Sequence, residues 1–277
     1  MPVIQFHDID LAELRVLLCD ADGNLFPSEE PAFVASAEVT NAFLSTYGAP
    51  GTLTAEQLRL GTTGKNFRTT AVDLCVAHGV PVEPAVAGSR PQAILATGPT
   101  VDGRAVLTAE ALEHWVAEEK ERVSAYLGEV LTPDRDVRDP LGKLAAHLAL
   151  AAVSSSALGR LETCFVATDL AALIPGEQRY SAEDSLPVPT SKPDPAIYRH
   201  AGRELGCAGA QGLAVEDSVP GAQSAVAAGF PTVGNVMFVP EPERAERVEA
   251  LRQAGVVAVV TSWWDLADLV LPTVGAP

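Results

Sequence analysis

The run Val16-Leu17-Leu18-Cys19 leads directly into Asp20-Ala21-Asp22-Gly23-Asn24-Leu25-Phe26. Four consecutive apolar residues predict a strand buried on both faces, as in a parallel sheet covered by helices. In such sheets, ligands bind just beyond the carboxyl ends of the strands. This strand ends at two aspartates one residue apart, followed by a glycine. Two carboxylates so placed repel each other unless a cation or a proton lies between them. Asp20 and Asp22 are therefore the first candidates for a metal-assisted nucleophile and acid/base pair.

At 277 residues, 47% hydrophobic and 20% charged, the chain has the composition of a globular protein of one or two domains. Its net charge of −17, without a Lys/Arg cluster, argues against nucleic acid or an anionic membrane as partner. No signal-peptide pattern and no apolar run of membrane-spanning length is present, so a cytoplasmic location is expected, as a monomer or homodimer. The cysteines Cys19, Cys75, Cys164 and Cys207 lack CxxC spacing, which predicts buried thiols and no zinc site or disulfide framework.

Beyond the first strand, Pro27-Ser28-Glu29-Glu30-Pro31 reads as a stiff hinge. Helices are expected at 33–47, 54–60 and 67–78, followed by an irregular, Pro- and Gly-rich connection over 80–103. A longer helix then starts after Thr108. The stretch 59–68, where the second helix runs through a loop into the third, holds Arg59, Lys65 and Arg68, three cations in an acidic chain. The stretch from Glu30 to Val130 thus reads as all-helical.

From Leu131-Thr132-Pro133-Asp134 onward, strands and helices alternate. Strands are expected at 148–153, 163–166, 213–215, 232–236 and 256–260, with helices at 141–147, 157–161, 195–205, 221–228, 242–254 and 262–270. That alternation predicts a parallel sheet with right-handed crossovers. The fold class is therefore α/β. A Rossmann-like parallel sheet carries helices on both faces, formed by residues 1–29 and 131–277, with an inserted all-helical cap domain over 30–130.

Three further places carry polar residues toward the aspartate pair. The expected strand 148–153 ends in Ser154-Ser155-Ser156, which offers hydroxyls and backbone N–H groups at a helix start, a cradle for phosphate. The strand 213–215 ends in a second acidic pair, Glu216-Asp217. Thr190-Ser191-Lys192-Pro193-Asp194-Pro195 puts a lysine just before a helix opened by proline. Oxygen-only ligands suit Mg²⁺, and the set fits phosphoryl transfer.

The order DADGNL, SSS after an apolar strand, SKPDP, then VEDSVPGAQSAVAAG resembles the haloacid dehalogenase superfamily. It is most similar to the branch with a helical cap inserted after the first motif, which includes phosphatases and β-phosphoglucomutase-like enzymes. The resemblance implies that Asp20 attacks phosphorus to form an aspartyl-phosphate and that Asp22 serves as acid, then base. It implies Mg²⁺ held by the Asp20 carboxylate, the Asp22 backbone carbonyl and Asp217, with Glu216 a ligand directly or through water. Ser154, the backbone of Ser155 and Lys192 would bind the phosphoryl oxygens, with Arg59 and Lys65 reaching the substrate. A carboxylate on a dication stays ionised while its neighbour off the metal can hold a proton, so Asp22 is expected to be the protonated member.

Asn24 departs from the family pattern, which usually has Thr or another β-branched residue there. Pro27 stands where relatives often have Asp, and Ala32 where they often have His. The expected activity is Mg²⁺-dependent hydrolysis of a small phosphorylated metabolite, such as a sugar or polyol phosphate. The alternatives are a phosphomutase of the same fold and a catalytically silent binding protein. A calcium loop beginning at Asp20 is excluded, because Leu25 and Pro31 occupy the positions that need Gly and Glu.

Overall fold

The computed structural model describes residues 3–62 and 66–274. It divides into two compact units, Met1–Ser28 with Leu131–Pro277, and Glu29–Val130.

The first unit is built on a seven-stranded sheet. Its first two strands are β1 (Val3–Gln5) and β2 (Val16–Cys19). The sheet continues with β5 (Ala149–Ser154), β6 (Arg179–Ser181), β7 (Gly212–Glu216), β8 (Thr232–Asn235) and β9 (Ala258–Val260). The order is β1-β9-β8-β7-β2-β5-β6, with β1 antiparallel to β9 and every other pair parallel. β2 lies between β5 and β7, with Cys19 level with both Ala152 and Val215. The chain builds outward from β2 in both directions, so the carboxyl end of β2 is the topological switch point, where open α/β sheets bind ligands.

The apolar run of β2 behaves as its sequence demands. Leu17, Leu18 and Cys19 are all fully buried, and each leucine contributes about 2 kcal/mol by leaving water. On one face Val16, Leu18, Ala151, Val153 and Ala214 pack with Ile197, Tyr198 and Ala201 of α8 (Ala196–Glu204). Farther along the sheet, Val236, Leu251, Val256 and Val259 form a second cluster under α10 (Glu241–Gln253). The remaining helices of this unit are α6 (Arg135–Ala145), α7 (Leu158–Ala167), α9 (Val219–Ala227) and α11 (Trp263–Val274).

The second unit contains α1 (Glu29–Thr46), α2 (Ala55–Thr62), α3 (Phe67–Ala77), the single turn α4 (Pro84–Ala87) and α5 (Ala109–Val130). Among its described residues the strands are those of a small hairpin, β3 (Thr100–Val101) and β4 (Arg104–Ala105), at the end of the connection expected to be irregular over 80–103. Its core gathers on Phe43, whose ring centroid lies 5.0 Å from Tyr47, 6.2 Å from Phe67 and 5.7 Å from Trp115. Thr108 caps α5 as expected, its hydroxyl accepting from Ala111 N at 3.1 Å.

Several expected elements differ. Residues 163–166 are not a strand: they lie inside α7, and Leu161, Cys164 and Phe165 bury one face of that helix at helical spacing. The strand beside β5 is instead the short β6. Helix α6 begins six residues earlier than expected. Asp134 caps it by accepting from Asp136 N at 2.8 Å, and the helix runs through Pro140. The passage 27–31 is not wholly a hinge, because α1 starts at Glu29 and Pro31 falls in its first turn, where a missing N–H costs no helical bond.

Candidate functional site

β2 delivers Asp20 to the switch point. Its backbone N–H still donates to Val215 O at 2.9 Å, continuing the ladder one residue beyond the strand, and the residue is 7% exposed. The chain then turns sharply. Gly23 has φ +77°, a left-handed conformation that a side chain resists, and its N–H donates to Phe26 O at 3.0 Å. This turn sends the two aspartate side chains into different surroundings.

Asp20 faces carboxylates and one cation. Lys192, only 6% exposed at its side chain, donates from Nζ to an Asp20 carboxylate oxygen, to Glu216 Oε1 at 2.6 Å and to Val153 O at 2.7 Å. All three ammonium protons are thereby used. Glu216 is fully buried at the end of β7, and its Oε1 also accepts from Tyr198 Oη at 2.5 Å. Its carboxylate lies against the start of α9, where a Cβ on Gly221 would stand 1.8 Å from Oε2. Glycine at 221 is thus a packing requirement of Glu216. Asp217, the next residue, is held by Arg247 of α10, whose guanidinium donates to its backbone carbonyl at 2.8 Å.

Asp20, Glu216 and Asp217 each offer a carboxylate oxygen, with the three oxygens within 4.8 Å of one another. An all-oxygen set of three buried carboxylates fits a hard divalent cation such as Mg²⁺. Burial, joined by the Glu216 and Asp22 charges, pushes the Asp20 carboxyl well above the usual range despite the pull of Lys192. For Lys192, burial favours the neutral amine, but Asp20 and Glu216 outweigh it and keep the group charged.

Asp22 faces donors. Oδ1 accepts from Ser28 Oγ at 2.6 Å and from Arg160 Nη2 at 2.9 Å, while Oδ2 accepts from Ser156 Oγ at 2.7 Å. Ser154 Oγ stands 3.5 Å from Oδ2 and accepts from Ser156 N at 3.0 Å. Burial alone would raise the Asp22 carboxyl, but the Arg160 guanidinium and the Ser28 and Ser156 hydroxyls outweigh it and hold the group below the usual carboxylate range. Asp22 was expected to be the protonated member of the pair. That expectation is for the pair with a dication on Asp20; without one, the protein's own groups favour the ionised form of Asp22, Arg160 foremost among them.

The other expected site residues divide clearly. Asp20, Asp22, Ser154, Ser155, Lys192, Glu216 and Asp217 all collect at the ends of β2, β5 and β7. The Asp22 carboxylate is not in the three-oxygen cluster; the ligand expected of Asp22 is its backbone carbonyl. Ser155 Oγ accepts from Lys192 N at 3.1 Å, tying the lysine segment to the end of β5. Arg59 pairs with Glu56 at 2.8 Å, three residues back on α2. Arg68 forms an ion pair with Glu113 on α5, and Lys65 lies outside the described residues.

Sequence reasoning missed Arg160, Ser28, Tyr198 and Arg247. Of these only Arg160 had a signal: a cation in the first turn of the helix following Ser154-Ser155-Ser156, in a chain short of cations.

No protein-family model and no curated protein sequence matches this chain. Solved structures do. A conserved haloacid dehalogenase-like protein of unknown function from Agrobacterium tumefaciens aligns with TM-score 0.62 at 19% identity, covering 94% of this chain and 98% of that one. A HAD family hydrolase from Deinococcus radiodurans, with bound phosphate and sodium, gives 0.60 at 24% identity, covering 95% and 97%. A putative β-phosphoglucomutase from Thermotoga maritima gives 0.57 at 25% identity, covering 92% and 98%. The chain has the α/β fold of the haloacid dehalogenase superfamily.

Proposed function

We propose that this protein is a phosphatase that hydrolyses a small phosphorylated metabolite, a sugar or polyol phosphate, through an aspartyl-phosphate on Asp20. The observation that carries the reading is the meeting of the Asp20, Glu216 and Asp217 carboxylates at the switch point, with Lys192 bonded to the first two. The bound phosphate of the Deinococcus radiodurans hydrolase, a protein of the same fold, supports it.

Asp20 would attack phosphorus, and the leaving oxygen would take its proton from Asp22. Asp22 would then remove a proton from the water that cleaves the aspartyl-phosphate. Because Arg160, Ser28 and Ser156 favour its ionised form, Asp22 is better prepared for the second role than for the first. Ser154, the backbone of Ser155 and Lys192 would hold the phosphoryl oxygens. Asp20, Asp217 and Glu216 would hold Mg²⁺, which supplies positive charge that keeps Asp20 ionised and screens it from the incoming phosphate. The four cysteines are free and buried, which suits a cytoplasmic setting.

A phosphomutase is the second reading, favoured by the likeness to the putative β-phosphoglucomutase. The test is a phosphate-release screen over phosphorylated metabolites, with and without Mg²⁺. Release is expected to require Mg²⁺ and to fall by about four orders of magnitude in Asp20→Asn. Substrate consumed without phosphate release would point to the mutase. Turnover unchanged in Asp20→Asn would sink both readings.

A further inference from the structure

Asn24 follows the Asp20–Gly23 turn and is fully buried, as are Trp263 and, at 1% exposure, Asn235. A polar side chain sealed in a core needs its bonds satisfied, and this one has them all. Asn24 Nδ2 donates to Asp20 O at 3.0 Å and to Val215 O at 3.0 Å. Its Oδ1 accepts from Asn235 Nδ2 at 2.8 Å, and Asn235 Oδ1 accepts from Met237 N at 3.0 Å. The Asn24 backbone carbonyl accepts from the Trp263 indole N–H at 3.0 Å. Two carbonyls can be met only by a donor, so the orientation of the Asn24 amide follows from its partners.

These bonds join the end of β2 to the ends of β7 and β8 and the start of α11, across 191, 211 and 239 residues of chain. They also act on the reactive turn itself. The bond to Asp20 O fixes the plane of the peptide after Asp20, and that plane sets where the Asp20 and Asp22 side chains leave the backbone. An apolar residue at 24 could fill the same space, but it could not hold that peptide. Asn235 in turn holds the Asn24 amide so that its donor side faces the two carbonyls.

We propose that Asn24 and Asn235 act as one unit, braced by Trp263, that positions the Asp20–Asp22 turn. They are positioning residues for the phosphatase chemistry proposed above, and in that respect the inference rests on it.

The test compares Asn24→Ala, Asn235→Ala, their double variant and Trp263→Phe with the parent protein in Mg²⁺, using 4-nitrophenyl phosphate, alongside Mn²⁺ titration by calorimetry. Each single alanine variant should lose about ten- to a hundredfold in kcat with KM changed less than about threefold, as expected when a reacting group is misplaced. The double variant should fall within about threefold of the worse single, because partners in one network do not add. Mn²⁺ should bind about fivefold more weakly in each alanine variant, through the displaced Asp20 carboxylate. Trp263→Phe removes the indole N–H and part of the buried ring's volume, so it should cost about threefold in kcat. If the alanine variants do not fold, this last variant decides, and kcat unchanged within experimental error overturns the inference. For folded variants, a single retaining kcat within about twofold, or a double-variant loss equal to the product of the singles, overturns it. If the parent releases no phosphate from any substrate, it is the functional reading that has failed. Mn²⁺ affinity then decides: weaker binding in both alanine variants upholds the positioning role, and unchanged binding overturns it.

Discussion

Asp20 and Asp22 are the same residue type, two positions apart on one turn, yet their neighbourhoods are opposites. Asp20 stands among carboxylates, with one lysine shared between it and Glu216. Asp22 stands among donors, with an arginine and two hydroxyls directed at its two oxygens. The first environment is short of positive charge and suits a divalent cation. The second is already satisfied and needs none. Two adjacent carboxylates acquire separate tasks through what the following strands and helices bring to each.

The strongest test of that division removes the charge from Asp22 alone. Asp22→Asn should lower turnover of an alkyl phosphate by about 10²- to 10⁴-fold, the range for losing a general acid and base, while Mn²⁺ affinity stays at the parent value. If the variant loses Mn²⁺ affinity as Asp20→Asn does, the two neighbourhoods are one and the comparison fails.

Next in size is Lys192→Met, which leaves Asp20 and Glu216 as buried carboxylates without their shared cation. Thermal unfolding without divalent ions should show a loss of about 3–5 kcal/mol, as for other broken buried pairs. Mg²⁺ should restore part of it. A loss no larger than that of a surface lysine would mean that Lys192 does not hold the acidic side together.

The smallest effect sharpens the Asp22 side. Arg160 and Asp22 keep 26% and 20% of their side chains exposed, so Arg160→Met should cost about 2 kcal/mol at pH 7, less than a fully buried pair. Asp22 is held below its unfolded value, so the stability it contributes is present above about pH 4 and fades as the pH falls further. The difference between variant and parent, measured by urea unfolding, should therefore shrink toward pH 3. A difference constant with pH would assign the effect to lost packing.

Much of this arrangement was legible in the chain. The buried run 16–19, the alternation after residue 131 and the polar residues at 154 and 216–217 follow from periodicity and strand-end placement, while Lys192 stood out only through the order of motifs in the family resemblance; they meet where the strand order reverses. What was not legible depended on partners far away in sequence. Thr163-Cys164-Phe165-Val166 is a good local strand pattern, overridden because Leu161, Cys164 and Phe165 find a common face in α7. β6 is three residues long and its pattern is too short to carry a period. Arg160 carried only the weak signal of a cation just after Ser154-Ser155-Ser156, and its role shows once β5 and β2 bring its helix beside Asp22. Asn24 reads as a departure from a family pattern, and only Asn235, 211 positions away, shows what the amide does there.

The close approach of Gly221 to Glu216 bears on which sequences this site can adopt. With the glutamate carboxylate 1.8 Å from where a methyl group would stand, the two positions cannot drift independently. An alanine at 221 becomes tolerable only after residue 216 has shortened to aspartate, which withdraws the carboxylate by a methylene and with it the reach to Lys192 and Tyr198. The order of changes is therefore constrained: the acid must shorten first, at the cost of its own partners. Among descendants of this chain the glycine and the glutamate should be kept or lost together.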